Sequence, residues 1–290
     1  MSFNILVTGS KGQLGSEIHA LSMLPHYAEV GMEFIFSDRV TLDITHKSSV
    51  ENFCDLHKIN VIINCAAYTA VDKAEIEVDI ANLVNCDAVR NLAKIAKQRN
   101  ISLIHISTDY VFDGTSYKPY VETDEANPQG IYGKTKLAGE NVFIEVNPER
   151  SIIIRTSWVY SSFGNNFVKT MLRLGKEREG INVIFDQVGS PTYARDLAEA
   201  ILFILPKLDN KTVETYHYSN EGVASWYDFS QAIFELADVD CKVTAIEAKR
   251  YPAPAKRPQY SFLNKSKIKI KFNLYIPHWQ ESLQRCLKSF

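Results

Sequence analysis

The sequence predicts an α/β fold, a doubly wound parallel sheet with a smaller C-terminal lobe interleaved with it. Short runs of apolar, mostly β-branched residues recur through the first half of the chain, and helical periodicity fills the intervals between them. The runs are apolar on both faces, which indicates strands covered on both sides by helices. A glycine-rich turn follows the first run, at the point where such a sheet leads its chain into a helix.

The elements of the first half follow one another in a regular order. Strands are predicted over residues 3–7, 34–36, 61–63, 101–106 and 152–154. Between them, helical patterns cover a stretch that ends near Leu24, residues 50–57 and residues 80–98. This alternation of strand and helix is that of consecutive βαβ units, which build a parallel sheet with helices on both faces.

The second half has a looser pattern. Helices are predicted over residues 166–179, 194–208, 226–237 and 278–287, and short strands over 182–185 and 216–218. We expect residues 1–160 to form the sheet domain, with return segments within 181–218, and residues 161–290 to form mainly the second lobe. The alternating lysines of residues 265–271 predict the solvent face of a strand or sheet edge. Residues 250–258, rich in proline, are expected to be a loop.

Composition excludes several classes of protein. The 290 residues carry a formal net charge of -2, so there is no overall basic surface for nucleic acid or for an anionic membrane. No apolar run is long enough to span a bilayer, and we expect no signal peptide. The five cysteines are scattered and form no C-x-x-C pair, which argues against a disulfide framework or a zinc site. A reducing cytoplasm is the expected compartment.

The turn after the first strand reads Gly9-x-x-Gly12-x-x-Gly15. Glycines at such a turn let the backbone, including Gln13 and Leu14, approach a pyrophosphate that lies at the helix N-terminus. The spacing departs from G-x-G-x-x-G, and a plain tight turn is the alternative. A P-loop is excluded because Leu14 stands where its second glycine would be. The turn therefore predicts a Rossmann-type dinucleotide-binding domain that takes NADH or NADPH.

Two further segments are candidates to contact the adenosine half of the cofactor. Asp38 ends the second strand, where a carboxylate can accept hydrogen bonds from ribose hydroxyls, whereas Arg39 beside it suits a 2′-phosphate. The pair does not decide between NADH and NADPH. Asp43 and Ile44 are candidates to flank the adenine, although Asp43 is equally plausible as a helix N-cap or turn residue.

The segment after the third strand is a candidate for the crevice where ligands bind in such sheets. Ala67, Tyr68 and Thr69 follow the carboxyl end of that strand. Small residues there let a cofactor pass closely, and tight packing of Ala66 and Ala67 is the alternative interpretation.

Three chemical groups are expected at the same edge of the sheet. Tyr132 and Lys136 are four residues apart and share a helix face, and Thr108 follows the fourth strand. A nearby ammonium favours phenolate and lowers the pKa of a phenol, which suits the tyrosine to proton transfer. Alone, a Tyr-x-x-x-Lys pair arises often by chance, and its ordinary interpretation is a half-buried tyrosine beside a solvated lysine.

Together these motifs resemble the extended short-chain dehydrogenase/reductase superfamily and, more closely, the dTDP-4-dehydrorhamnose reductases. The resemblance spans nearly the whole chain. It is carried by residues 64–75 (NCAAYTAVDKAE), 107–114 (STDYVFDG), 132–140 (YGKTKLAGE), 155–160 (RTSWVY), 164–176 (GNNFVKTMLRLGK), 186–197 (DQVGSPTYARDL) and 254–258 (PAKRP).

That family implies reduction of the C4 keto group of dTDP-4-dehydro-L-rhamnose to dTDP-L-rhamnose by NADPH or NADH. Tyr132 would donate the proton, Lys136 would lower the pKa of the phenol and hold the nicotinamide ribose, and Thr108 would hydrogen-bond the keto oxygen. The resemblance makes the second lobe the substrate-binding one.

The resemblance also implies substrate contacts. Asp109 and Trp158 would contact the substrate, with the Trp158 indole packing against an apolar or sugar face. Arg257 is a candidate to bind the diphosphate, where a guanidinium suits two oxygens. A surface arginine in a proline-rich loop is the alternative for Arg257. Lys256 and Tyr260 depart from the Arg and Asn that the family carries at these positions.

Assembly and metal binding follow only by analogy. Some relatives hold a divalent cation between subunits through clustered carboxylates, but Arg195 interrupts the acidic stretch here, so no metal is predicted. A homodimer is expected by analogy alone.

Two other functions compete with this one. The first is a regulatory subunit resembling that of methionine adenosyltransferase, which binds a dinucleotide without catalysis. The second is an epimerase or reductase of another nucleotide sugar.

Overall fold

The structure is a computed structural model that describes residues 2–290. Its strands are β1 Phe3–Thr8, β2 Met32–Phe36, β3 Val61–Asn64, β4 Ser102–Thr108, β5 Ile152–Thr156, β6 Val159–Tyr160, β7 Gly180–Ile184, β8 Val188–Gly189, β9 Thr192–Tyr193, β10 Glu214–His217, β11 Ala224–Ser225 and β12 Lys242–Ile246. Six of them form one parallel sheet in the order β10-β5-β4-β3-β1-β2. This sheet confirms the predicted fold class.

The helices cover both faces of the sheet and build the second lobe. They are α1 Gln13–Ser22, α2 Pro25–Glu29, α3 Lys47–Leu56, α4 Val71–Ala74, α5 Val78–Asn82, α6 Ala88–Arg99, α7 Ile131–Val146, α8 Phe167–Glu177, α9 Ala194–Ile204, α10 Trp226–Leu236, α11 Ser266–Phe272 and α12 Trp279–Leu287. A π-helical segment, Leu83–Asp87, joins α5 to α6 within the stretch expected to be one helix.

The two hydrophobic cores of the sheet domain follow from the period of two along each strand. On β1, Ile5 and Val7 face one core, with α1, α9 and α11, whereas Leu6 faces the other, with α3, α6 and α7. All three side chains are fully buried. Strands that are apolar on both faces are therefore the sequence signature of this double covering.

The parallel strands end at one edge, where the chain turns toward ligands in sheets of this kind. Thr8 pairs with Asn64, and Asn64 pairs with His105 across the sheet. From β1 the chain passes to β2 on one side and later returns to β3 on the other. The crevice between the ends of β1 and β3 is therefore the topological switch point, where ligands bind.

The second lobe has its own core, built from α8, α10 and α12 against the paired strands β7 and β12. β10 leaves this half of the chain and lies beside β5 in the large sheet. Within residues 2–290, no helix is both long enough and apolar enough to cross a membrane.

One predicted element is wrong. The lysine-rich segment expected to be a strand face or sheet edge is helix α11, Ser266–Phe272. Ile268 and Phe272 are four residues apart and both buried, and Phe272 packs on Tyr216 with ring centroids 5.2 Å apart. Ile270, which a strand would bury on the same face, is 81 % exposed. Burial therefore follows the helical period, and the alternation of the lysines is incidental.

A buried ion pair fastens α7 to the sheet. Arg155 on β5 donates to Glu140 on α7 through Nη2 at 2.7 Å and through Nε at 3.0 Å, and Ser107 on β4 donates to the same carboxylate. The Glu140 side chain is 1 % exposed and that of Arg155 is 7 % exposed. Both charged groups are shielded from solvent, so each is stabilised mainly by the other.

Loss of that pair is expected to destabilise the fold strongly. Glu140→Ala leaves the Arg155 guanidinium buried without its partner and should lower the free energy of unfolding by about 3–5 kcal/mol in urea denaturation. The control is Glu177→Ala, which removes the exposed pair between Arg173 and Glu177 and should cost at most about 1 kcal/mol. Equal losses in the two variants would contradict the structural role of Glu140.

Candidate active site

The glycines of the first turn let backbone segments approach one another more closely than any side chain would allow. Gly9 has a φ of +64°, and a Cβ there would lie 2.8 Å from the Ala66 backbone. A Cβ on Gly15 would lie 2.5 Å from the Gly9 carbonyl oxygen. Gly12 precedes α1 and gives no side-chain cap, so the first N–H groups of α1, beginning at Gln13, are available to an anion. The structure thus places the predicted turn at the switch point.

Asp38 is already engaged in the structure. One of its carboxylate oxygens accepts hydrogen bonds from the backbone of Val40 and Thr41 and from the Thr41 hydroxyl, and the other pairs with Lys11. Lys11 and then Thr41 hold the pKa of this carboxyl well below its usual range. The carboxylate therefore stays charged at the end of β2, with the largely exposed ammonium of Lys11 beside it.

The next two candidates form a turn before α3. Asp43 accepts from the Thr45 backbone at 3.0 Å and from the Thr45 hydroxyl at 2.7 Å, which is the turn role that the sequence left open. His46, and not Asp43, is the N-cap residue of α3. The side chain of Ile44 is buried in the core on the α3 side of the sheet.

The segment after β3 is held by a residue that the sequence did not single out. Asn85 accepts from the backbone N–H of Tyr68 at 2.9 Å and donates to its carbonyl at 3.1 Å, so both backbone groups of Tyr68 are fixed. It also donates to the Thr135 hydroxyl on α7 at 3.2 Å. Asn85 lies in the π-helical segment and is fully buried. In the sequence, the only indication of this role is a polar residue on the apolar face of a predicted helix.

Tyr132 lies in the first turn of α7, close against the segment that follows β4. A Cβ on Gly133 would lie 2.2 Å from the Tyr110 carbonyl oxygen, so only glycine permits this approach. The Tyr110 and Tyr132 rings meet edge to face, with centroids 5.4 Å apart. Glu75, the residue after α4, accepts a hydrogen bond from the Ile131 backbone N–H at 2.8 Å and so fixes the start of α7. Glu75 is a second residue that sequence reasoning missed.

Burial dominates the titration of Tyr132. It raises the pKa of the phenol to about 12, with a hydrogen bond to Thr108 acting in the opposite direction and the Asp109 charge adding to the rise. Lys136 is not among the groups that shift this pKa here, so its expected lowering of the phenol pKa stays a prediction. A phenol with a raised pKa carries its proton at neutral pH, which suits a proton donor.

Lys136 is buried on the same helix. Its ammonium donates to the Ile106 carbonyl at 2.6 Å, and the Nε2 atom of His105 lies 3.4 Å away. Burial lowers the pKa of Lys136 to about 8, although the Glu140 carboxylate one turn along α7 raises it. The solvated lysine of the ordinary interpretation is therefore excluded, since its side chain is almost fully buried.

Thr108 ends β4, and Asp109 follows it, beside the phenol. The Thr108 hydroxyl donates to one Asp109 carboxylate oxygen at 3.0 Å. Burial raises the pKa of this carboxyl to about 6, with Ser261 and Thr108 acting in the opposite direction. Thr108, Asp109, Tyr132 and Lys136 thus lie together at the carboxyl edge of the sheet.

Trp158 joins this edge to a large cavity. Its backbone is left-handed, with a φ of +49°, and its indole stacks on Trp226 with centroids 3.5 Å apart and planes at 4°. Trp226 lines a cavity of about 980 Å³, together with Phe167, Gln187 and Arg257. Thr108, Tyr132 and Lys136 are not among its lining residues, so the polar cluster lies outside this cavity.

Arg257 lies on the wall of that cavity and is already paired. Its guanidinium donates to Asp72 at 2.8 Å, and Asp72 also accepts from the Ala255 backbone at 3.1 Å. Asp72 therefore fixes both the arginine and the proline-rich loop. At the two positions that depart from the family pattern, Lys256 donates to Gln129, and Tyr260 packs on a small core under the loop.

No group of three or more His, Cys, Asp or Glu side chains within the described part of the chain is arranged to hold a metal ion. Arg195, which interrupts the acidic stretch, lies 3.8 Å from the buried Glu17.

The fold and the site together define a class, the doubly wound dinucleotide-binding proteins of the extended short-chain dehydrogenase/reductase type. The phosphate turn lies at the switch point, and a hydroxyl, a phenol and an ammonium lie along the same edge. The model of the family described as the RmlD substrate binding domain matches residues 3–290, and the chain belongs to this family.

Known proteins are similar over the whole chain. A dTDP-4-dehydrorhamnose reductase of Aggregatibacter actinomycetemcomitans is 44% identical, covering 97% of each chain. A crystal structure of such a reductase from Clostridium acetobutylicum is 43% identical, with a TM-score of 0.91 over 99% of each chain. One from Bacillus anthracis, in complex with NADP, is 38% identical, with a TM-score of 0.93 over 100% of each chain. The family resemblance stated from the motifs is confirmed.

The phosphate turn gives a direct test of cofactor binding. In Gly15→Ala the added methyl meets the backbone of Gly9 and Ser10, so the turn must open. We expect the dissociation constant for NADPH, measured by fluorescence titration, to rise about tenfold or more, since the phosphate N–H groups move with the backbone. Gly180→Ala is the control, because its methyl meets only the Lys242 strand at 3.3 Å or more. Unchanged affinity in Gly15→Ala would contradict the assignment of the turn.

Proposed function

We propose that the protein reduces the C4 keto group of dTDP-4-dehydro-L-rhamnose to give dTDP-L-rhamnose, with NADPH or NADH as hydride donor. The observation that carries this proposal is the half-buried phenol of Tyr132. It keeps its proton at neutral pH and lies beside Thr108, at the sheet edge that follows the phosphate turn. The full-length similarity to reductases of this substrate supports the same reaction.

The cofactor suits the residues at the switch point. Gly9, Gly12, Gln13 and Leu14 offer backbone to the pyrophosphate, in a turn where a side chain on Gly9 or Gly15 would collide with backbone. When bound, the nicotinamide supplies the hydride. Similarity to the NADP complex of the Bacillus anthracis reductase supports NADPH as one cofactor.

The adenosine half of the cofactor is assigned to neighbouring segments. Asp38 receives the adenosine ribose, while Asp43 and Ile44 form the side toward the adenine. Ala67, Tyr68 and Thr69 line the way to the nicotinamide, on a segment that Asn85 holds by its backbone.

The reaction needs a proton donor, a group that polarises the ketone and a positive charge near the proton donor and the nicotinamide ribose. Tyr132 gives its proton to the alkoxide that forms at C4. Thr108 hydrogen-bonds the keto oxygen and stabilises the developing negative charge. Lys136 supplies a buried positive charge for the nicotinamide ribose and for the phenolate that remains after proton transfer.

The substrate is assigned to the cavity of the second lobe. Its volume, about 980 Å³, is at the upper end of the range for small-molecule sites and suits a nucleotide sugar. Most of its lining residues come after residue 160, which supports a division into a cofactor domain, residues 1–160 with return segments within 181–218, and a mainly substrate-binding lobe, residues 161–290. Trp158 and Asp109 face the sugar at the entrance, and Arg257, positioned by Asp72, receives the diphosphate.

Purified protein with dTDP-4-dehydro-L-rhamnose is expected to consume NADPH, NADH or both, measured as loss of absorbance at the reduced-nicotinamide band. One cofactor should be oxidised for each dTDP-L-rhamnose found by NMR. Cofactor binding without turnover would reject the reductase and favour a regulatory subunit. Conversion of a nucleotide sugar without net cofactor consumption would instead identify an epimerase.

Tyr132→Phe tests the proton donor. The variant keeps the ring and loses the hydroxyl, so kcat should fall by about 10²-fold or more while NADPH affinity changes little. Tyr110→Phe is the matched control, since Tyr110 is the neighbouring ring and has no assigned part in the reaction. A Tyr132→Phe enzyme with the turnover of Tyr110→Phe would remove Tyr132 from the mechanism.

A further inference from the structure

A row of buried polar side chains crosses the sheet and ends at Lys136. The Thr8 hydroxyl on β1 lies 2.7 Å from the Asn64 amide on β3, and that amide lies 3.0 Å from Nδ1 of His105 on β4. The Nε2 atom of His105 lies 3.4 Å from Nζ of Lys136. The strand register makes Thr8, Asn64 and His105 direct neighbours, so this row is a property of the sheet itself.

These groups are buried inside a sheet whose interior is mostly apolar. Thr8 and His105 are fully buried, Asn64 is 1 % exposed and Lys136 is 2 % exposed. Burying polar groups is unfavourable unless each finds a hydrogen-bond partner, and here each partner is the next member of the row. Isoleucine or valine at Asn64 and His105 would continue the strands at lower cost. The arrangement therefore calls for a function, and its one charged member is Lys136.

The donors and acceptors of the row depend on the charge of Lys136. Burial, followed by the Lys136 charge, holds the pKa of His105 well below its ordinary value, so the imidazole is neutral. An ammonium can only donate, and it already donates to the Ile106 carbonyl. Beside a charged Lys136, Nε2 must therefore accept, and the ring proton lies on Nδ1.

The Asn64 amide then completes the row. The Nδ1 proton needs an acceptor, and the amide oxygen of Asn64 can serve once the amide is rotated by 180° from its orientation in the structure. That orientation directs the amide nitrogen at Nδ1 and the amide oxygen at the Thr8 hydroxyl. The orientation in the structure, with the amide nitrogen toward Nδ1, matches a proton on Nε2 and an uncharged lysine. A rotation of the amide by 180° exchanges the two, because the amide nitrogen and oxygen have nearly the same shape. Thr8 then accepts from the amide nitrogen in place of donating to the amide oxygen.

We propose that His105 is a positioning residue for Lys136, whose imidazole accepts from the ammonium and, through Asn64 and Thr8, ties the lysine to the phosphate-binding turn. This role rests on the proposed reductase function, in which Lys136 holds the nicotinamide ribose. Thr8 directly precedes Gly9 and also accepts from the Ala66 backbone at 3.3 Å. The row therefore links the ends of β1 and β3, which flank the switch point, to Lys136, the residue assigned to the nicotinamide ribose.

Loss of His105 is expected to move the pH profile of kcat in one direction only. The titratable and charged groups around Lys136 are Glu140 and Tyr132 on α7, His105 on β4, and Arg155 on β5, which is bound to Glu140. An acceptor on the ammonium favours its charged form, so loss of His105 lowers the pH at which Lys136 loses its proton. The basic limb of the kcat profile, expected near pH 8 from the pKa of Lys136, then moves to lower pH.

Two substitutions separate positioning from packing. His105→Leu removes the acceptor, and His105→Gln keeps one in its amide oxygen. We expect kcat at pH 8 to fall about tenfold or more in His105→Leu, with KM for the sugar nucleotide little changed and the basic limb displaced to lower pH. His105→Gln should recover most of the rate and the wild-type limb. His217→Leu replaces another fully buried histidine, away from Lys136, and should lower the thermal midpoint without moving the pH profile.

A measurement on the unaltered protein keeps the proposal testable if the variants fold poorly. In ¹⁵N-histidine NMR at pH 6.5, the resonances assigned to His105 through the His105→Gln spectrum should show a neutral ring with its proton on Nδ1. A proton on Nε2 would overturn the proposal. So would a wild-type kcat profile in folded His105→Leu, or equal losses in His105→Leu and His105→Gln.

Failure of the role proposed for His105 can be distinguished from failure of the proposed reductase function. If wild-type protein does not reduce the sugar, the reductase assignment fails, while the ring tautomer and NADPH affinity still report on the contact with Lys136. His105→Leu should weaken NADPH binding about tenfold or more through the ribose. If wild-type protein reduces the sugar and His105→Leu changes neither rate nor affinity, only the role of His105 fails.

Discussion

The site depends on how closely helix α7 packs against the sheet and its neighbours. A Cβ on Gly133 would lie 2.2 Å from the Tyr110 carbonyl oxygen, and one on Gly139 would lie 2.1 Å from the Asn85 carbonyl oxygen. These two glycines let the helix backbone approach, and the ion pair of Glu140 with Arg155 holds it there. Since Tyr132 and Lys136 lie on this helix, its close packing is what places them at the end of β4.

Burial then sets the protonation of the groups around Tyr132. It raises the pKa of the Tyr132 phenol to about 12 and that of the Asp109 carboxyl to about 6. It lowers the pKa of the Lys136 ammonium to about 8 and keeps His105 neutral. In each case the uncharged form gains, because a low-dielectric surrounding disfavours charge. A single physical cause thus gives a protonated donor and a lysine whose charge depends on its few partners.

Much of the fold was predictable because the sheet is apolar on both faces. The strands that end at Thr8, Asn64 and Thr108 are short apolar runs, and their carboxyl ends place the turn and the later hydroxyl at one edge. The lysine-rich segment at Ser266–Phe272 was not predictable from alternation, since exposed lysines suit either a strand or a helix. Only the burial of Ile268 and Phe272 against the sheet decides between them.

The candidate site was likewise predictable from the sequence only in part. The sequence by itself determined which chemical groups are present and in what order along the chain: the glycine turn, Thr108, and the tyrosine and lysine of one helix face. The tertiary structure alone decided their partners, because Asp72 with Arg257 and His105 with Lys136 are far apart in the chain and meet only through packing. It also decided their charge, since a pKa depends on burial and neighbours, and no spacing of residues in the sequence encodes either.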